Sequence, residues 1–458
     1  MAEMKNKEML EGNILPTLLK LSWPIVVGML IQTAFNVVDT IFVGRLGPDA
    51  LAAMTIAFPI VFFFMAIAAG TGVGVNSLIS RYLGADRKKE ADNVAEHGIL
   101  LAVVLYLSFS MIGLFASRPL FQLLGAEGVI LDMILQFTRT FFIGSIFLFL
   151  TFICNNILRA EGDTKTPMVV MTIAAIMNII LDPIFIFGLG IIPAMGIRGA
   201  ALATVLARMV ASIYVIHFLL IRKKSHLEFN LKHFRFSWLL IRKIYKVGLP
   251  ASLSQVIMSF SFLFLNLIIA SFGTVAIATF GIMFRLESIV FMPLVGFMTA
   301  VMVMTGHNFG AKKFSRIDQI VMIASKIATA FVIFMGLLFF LFPRFWVSIF
   351  VDEVAVISLG VDILKVLPLS YLLLGIAQMI GGAFQGMGKG MFPLIFHATR
   401  MFALTIPFAY FVGIVYGAGV IAVAWGFVMS YFIVGSGSIL WYVFGGWRKK
   451  TFAISQNN

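Results

Sequence analysis

The chain has 458 residues, 61% of them hydrophobic and 12% charged, with a net charge of +14 and a mean hydropathy of +1.03. A soluble domain carries roughly 25% charged residues, so this composition excludes an ordinary water-soluble globule. The positive excess does not indicate nucleic-acid binding, because Lys and Arg fall in short segments between apolar runs and not in one patch or arm.

The opening MAEMKNKEMLEGNILPTLLK mixes charges, with no early apolar core and no small-residue cleavage site, so the first span is expected to stay as a helix. Apolar stretches of ~20 residues mark bilayer-spanning helices. Twelve are predicted, over 16–44, 50–80, 93–117, 129–158, 166–189, 196–221, 243–271, 275–306, 317–344, 354–385, 391–415 and 417–444. The single cysteine, Cys154, lies within one of them, which excludes a disulfide framework and a thiol metal site.

Alternate connections then separate by charge. One side holds the N-terminus, RYLGADRKKEAD (81–92), RAEGDTKT (159–166), the stretch from Arg222 to Lys246, NFGAKKFSR (308–316), Lys389 and the tail WRKK, with 24 Lys or Arg in all. The other side has four: Arg45, Arg118, Arg198 and Arg344. The positive-inside rule places both termini in the cytoplasm.

A shift of 226 residues aligns LSWP (21–24) with VGLP (247–250), RLG (45–47) with SFG (271–273), and YLGAD (82–86) with NFGAK (308–312). It also aligns Gly162 with Gly388 and Pro167 with Pro393, after which the first half carries about six extra residues around GLGIIPAMG and Gly199 pairs with Gly419. Six helices per half means that both halves enter from the same side. They are parallel repeats about an axis along the membrane normal, with a substrate path between them. The predicted units are an N-terminal lobe (1–221), a basic cytoplasmic linker (222–242), a C-terminal lobe (243–447) and a cytoplasmic tail (448–458). This is an all-α integral membrane protein with two six-helix bundles related by a pseudo-two-fold axis.

The duplication makes two acids conspicuous. Asp39, in FNVVDTIFVG, corresponds to Leu265, and Asp182, in NIILDPIFIFG, corresponds to Phe408. An ionised side chain at a helix centre costs at least ~2.5–3.5 kcal/mol, so acids that the scaffold does not need for packing have a job to do. At 1.5 Å per residue, Asp39 lies ~9 Å from the end of its span and Asp182 ~12 Å from its own, which is similar depth in one lobe. Asn178 sits one turn before Asp182, and Pro183 frees the Ile179 carbonyl from its usual donor. Gln32 and Asn36 share roughly one stripe with Asp39, Pro24 is the expected bend of that helix, and Asn155, Asn156 and Thr204 add polar groups to the lobe. Two carboxylates together in low dielectric share a proton or a cation. The bland alternative is that each acid pairs with a buried base, Arg139 or Arg208. Arg285 and Glu287 project about 200° apart on one helix, where a structural ion pair is at least as good a reading as a transport role. Arg400, Lys326, Lys365 and Asp362 read as structural or as snorkelling near helix ends.

LSWPIVVGMLIQTAFNVVDTIFVGRLG, with ILRAEGDTKTP and FQGMGKG at matching places in the two halves, resembles the multidrug and toxic compound extrusion (MATE) family over nearly the whole chain. Acids in the first lobe only resemble its DinF-type prokaryotic branch. The resemblance implies a V-shaped pair of bundles in a prokaryotic plasma membrane, acting as a monomer with no cofactor. It implies export of organic cations and other amphipathic compounds, driven by H+ or Na+. By similarity Asp39, Asn178 and Asp182 form the coupling site, which holds a proton or Na+, with Gln32, Asn155 and Thr204 near it and Pro24 as the bend. A second branch uses acids in the C-terminal lobe, where Glu287 is the one deep candidate. A flippase for lipid-linked precursors is the alternative, and its anionic substrates call for a cavity lined with Arg and Lys. No Lys-Ser/Thr phosphate loop and no nucleophile–His arrangement supports an enzyme.

Overall fold

The computed structural model describes residues 2–220, 227–229 and 234–445. The predicted tail 448–458 and two stretches of the linker (222–226 and 230–233), with Arg222, Lys223, Lys224 and Lys232, lie outside the described residues. In a bilayer every backbone N–H and C=O must find its partner within the protein. Among the described residues twelve spanning helices meet the requirement: α1 (Ile14–Gly44), α2 (Pro48–Gly84), α3 (Lys88–Phe115), α4 (Gly128–Ala160), α5 (Lys165–Phe187), α6 (Gly196–Leu219), α7 (Trp238–Ala270), α8 (Thr274–Gly310), α9 (Phe314–Leu341), α10 (Val354–Gly386), α11 (Met391–Val415) and α12 (Ile421–Phe444). Short helices at Ala2–Glu11, Ser117–Leu123 and Pro343–Ser348 are additional.

Several helices run past their apolar stretch, because backbone hydrogen bonding continues until a cap or turn ends it. α3 starts at Lys88 and not at 93. α7 starts at Trp238 and not at 243, where the Ser237 hydroxyl accepts from the Leu240 N–H at 3.4 Å. The end of the predicted linker is therefore helix. Pro368 falls in a 3₁₀ turn, Leu367–Ser370, that interrupts α10, and α11 widens into π-helix at Thr399–Thr405 and Ala409–Val415. The extra segment between α5 and α6 is pinned by a bridge between Leu189 and Ile192.

The repeat is visible in the packing. Ile14 and Leu18 of α1 are buried in the core of the C-terminal lobe. Their equivalents, Leu240 and Ile244 of α7, are buried in the core of the N-terminal lobe. The first helix of each bundle thus begins in the core of the other, and the two cross. Contacts between the bundles are reciprocal as well. A β-carbon on Gly70 would strike Gly248 and Ser252, and one on Gly296 would strike Ser22 and Val26, the same pairs exchanged by the 226-residue shift. Likewise a β-carbon on Gly84 would collide with the His307 carbonyl, and one on Gly310 with the Arg81 carbonyl. Asp86 and Lys312, also equivalent, share a positive φ of 58° and 57°. Such exchange is what a two-fold axis produces.

These contacts lie in the halves of the helices that end at the basic connections. So do the cross-lobe hydrogen bonds from Ser77 to the Gln385 carbonyl, from His307 to the Ala160 carbonyl (2.8 Å) and from Asn308 to the Met9 carbonyl (3.1 Å). At the other end, a β-carbon on Gly47 or Gly273 would meet nothing within 4 Å. The bundles join at the basic end and part towards the other, as a V.

Candidate functional site

The halves of α1, α5 and α6 away from the basic connections enclose the acidic constellation. Asp182 is fully buried on α5, and its Oδ1 accepts from Asn178 Nδ2 one turn earlier, at 3.2 Å. The same amide nitrogen donates to Thr204 Oγ1 on α6 at 3.3 Å, and that hydroxyl donates to the Ala200 carbonyl at 3.1 Å. With both donor hydrogens of Asn178 engaged, its amide is held in one orientation. Two buried acceptors, Asp182 Oδ2 and Asn178 Oδ1, then lack a donor among the described residues. Asp39 on α1 is half-buried and lies within electrostatic reach of Asp182. The structure thus brings Asp39, Asn178, Asp182 and Thr204 together from three helices.

Beside them runs a narrow crevice lined by Gln32, Phe35, Asn178, Thr204 and Arg208, with small alanines between. Arg208 Nη2 donates to Gln32 Oε1 at 2.9 Å, and Gln32 Nε2 donates to Asn36 Oδ1 at 3.2 Å. The polar stripe of α1 therefore satisfies Arg208, and Arg139 is exposed. Among the described residues neither Asp39 nor Asp182 forms an ion pair, so the pairing of each acid with a buried base is not what the lobe does. No linear pattern signals the Arg208–Gln32 bond, because it depends on how α1 and α6 rotate against each other.

The other predicted residues divide. Asn155 is buried with its Oδ1 lacking a donor. Asn156 donates to the Phe152 carbonyl at 3.0 Å and accepts from Asn76 at 3.5 Å, so it belongs to the packing of α2 on α4 and not to the acidic pair. Pro24 is buried inside α1, two residues from the Ser22 and Val26 contacts with α8, and leaves the Lys20 carbonyl without its helical donor. Arg285 is exposed and Glu287 half-buried on α8, with no ion pair between them among the described residues; the structural pair is absent. Arg400 does not snorkel from a helix end: it is 3% exposed, inside the C-terminal lobe. Lys326, Asp362 and Lys365 are exposed.

The MatE family model matches the chain twice, over residues 24–184 and 250–411, once in each bundle and at the same 226-residue shift. A protein of Shewanella oneidensis named as an FAD transporter is 32% identical over 412 residues, covering 89% of this chain and 90% of that protein. The multidrug export protein MepA of Staphylococcus aureus is 28% identical over 406 residues, covering 86% of this chain and 89% of that one. Among solved structures, a multidrug-resistance MATE transporter in its outward-facing conformation superposes with a TM-score of 0.89 at 31% identity, covering 97% of this chain and 98% of its own. A signature present once per lobe, and similarity across nearly the full length, lead to one conclusion: the chain is a multi-pass membrane protein of the MATE family of transporters and not an enzyme.

Proposed function

We propose that the protein is a cation-coupled exporter of amphipathic compounds working by alternating access, with Asp39, Asn178 and Asp182 as the coupling site. The observation that carries this is the pair of buried, donorless oxygens on Asp182 and Asn178 beside a second carboxylate. Hard oxygen donors of this kind fit Na+, and a carboxylate pair fits a shared proton equally well. Asp182 Oδ2, Asn178 Oδ1 and the Asp39 carboxylate are the groups that would take the ion. Uptake from the open side neutralises the pair and removes the reason for α1 to stay in contact with water. The crevice between α1, α5 and α6 then closes and substrate is driven out.

The charge asymmetry of the connections supports cytoplasmic termini, and the bacterial relatives support a plasma-membrane location. The MepA relative supports drug-like cargo. The Shewanella relative supports a second cargo class, an anionic nucleotide-like amphiphile.

Ethidium efflux from proteoliposomes, under an imposed pH gradient or an imposed Na+ gradient, tests the assignment. One of the two gradients drives the wild-type protein and fails to drive Asp39→Asn, which inserts normally. Equal gradient-driven efflux by Asp39→Asn would overturn the role of Asp39.

A further inference from the structure

The duplication assigns to each wall residue of the acidic crevice an equivalent in the other lobe. Ala174 and Ala207 line the crevice in the N-terminal lobe. The 226-residue shift carries Ala174 to Arg400, and the register that pairs Gly199 with Gly419 carries Ala207 to Phe427. Where one lobe has small alanines beside two acids, and an arginine, Arg208, that is bonded to Gln32, the other has the buried guanidinium of Arg400. Its carbon lies 4.2 Å from the centre of the Tyr431 ring and 5.9 Å from that of Phe427.

Arg400 Nε and Nη1 are buried and have no hydrogen-bond partner among the described residues. His397 Nδ1, beside Arg400, and the Tyr371 hydroxyl, within reach of Glu287 and of the Tyr431 on which Arg400 stacks, are buried and have no hydrogen-bond partner among the described residues either. Glu287 lies within electrostatic reach of both Arg400 and Tyr371, yet forms no ion pair among the described residues. An unpaired charge at membrane depth is expensive and is held for a function. The backbone is irregular at the same point: Arg400 lies in the π-helical turn Thr399–Thr405, where the Thr405 hydroxyl donates to the Arg400 carbonyl at 2.8 Å. π-Helical turns cluster at functional sites. A guanidinium stacked on an aromatic face keeps its in-plane N–H donors for a planar oxyanion, which it binds with two parallel hydrogen bonds.

We infer that Arg400, with the Tyr371 hydroxyl, forms a site in the C-terminal lobe for the oxyanion (carboxylate or phosphate) of an amphipathic substrate. The inference rests on the export reading and extends it: to the shared frame one lobe adds two acids and the other a buried arginine, so one binds the coupling cation and the other the acidic group of the cargo.

The test is binding to the purified full-length protein in detergent, with no ion gradient, of two dyes that share a ring system: a rhodamine methyl ester and the same rhodamine as the free carboxylic acid. Wild type binds both. In Arg400→Gln the affinity for the acid relative to the ester falls about tenfold, the scale of one charge-assisted hydrogen bond. Arg400→Lys retains part of the preference, and Tyr371→Phe lowers it. If Arg400→Gln does not fold, the ratios in Arg400→Lys and Tyr371→Phe decide. An unchanged ratio in variants that still bind the ester overturns the inference. Wild type that binds the ester and rejects the acid overturns it while leaving cation export intact, and wild type that binds neither dye overturns both. Loss of the acid preference on adding phosphatidylglycerol, but not phosphatidylcholine, assigns the oxyanion to a lipid headgroup; no such loss assigns it to the cargo.

Discussion

At the scale of single residues, the N-terminal lobe shows how a buried amide makes a carboxylate useful. Asn178 spends its donors on Asp182 and Thr204 and so fixes where the two remaining oxygens point. Asn178→Leu removes an oxygen ligand and frees Asp182 to rotate. The concentration of H+ or Na+ needed for half-maximal ethidium efflux is expected to rise on the order of tenfold, within the range of a coupling free energy of about 1–3 kcal/mol. Wild-type ion dependence in this variant would leave Asn178 a packing residue. Asp39, Asn178 and Asp182 were legible in the sequence because a carboxylate in an apolar run breaks the composition rule of its surroundings, and because the repeat shows that the fold does without it. Arg400 breaks the same rule, yet its sequence surroundings fit a structural or snorkelling residue as well as a buried one. Its depth depends on the π-helical widening of α11 and on the partners that α10 and α12 bring to it, and a linear pattern holds neither.

At the scale of elements, helix count and order follow from the spacing of apolar runs, and the structure reproduces them. Helix ends do not follow, since the apolar run ends where the hydrocarbon ends while backbone hydrogen bonds continue into the connection. α1 and α7 gain their importance from crossing into the opposite bundle, a relation invisible until the helices are assembled. Close approach of α2 to α8 at Gly84 permits that assembly in this state. Gly84→Ala places a methyl against the His307 carbonyl, at a cost of about 1–3 kcal/mol for overpacking. The state with the basic ends together should lose population. Spin labels at the two basic connections, on Ala85 and Ala311, should then report a longer mean separation than in an otherwise wild-type protein. An unchanged distance distribution would show that the backbone yields there without parting the lobes.

At the scale of the whole molecule, the 24-to-4 distribution of basic residues and the joining of the bundles at the basic end together predict an orientation with the V opening outwards. Cysteine at Leu124, on the turn after the short helix Ser117–Leu123, should react with an impermeant maleimide added to intact cells. Cysteine at Ala85 should react only after permeabilisation. The native Cys154 is buried, so its background is low. The reverse labelling pattern would invert the topology. The seal between the bundles also has an evolutionary side. Its closest contacts involve glycines facing backbone carbonyls, so mutation there mostly adds bulk and breaks the fit, and the floor of the molecule has little freedom to drift. The walls of the opening are side chains on separate helices, free to change one at a time. A transporter built this way can acquire new cargo by altering its walls while the moving joint stays the same.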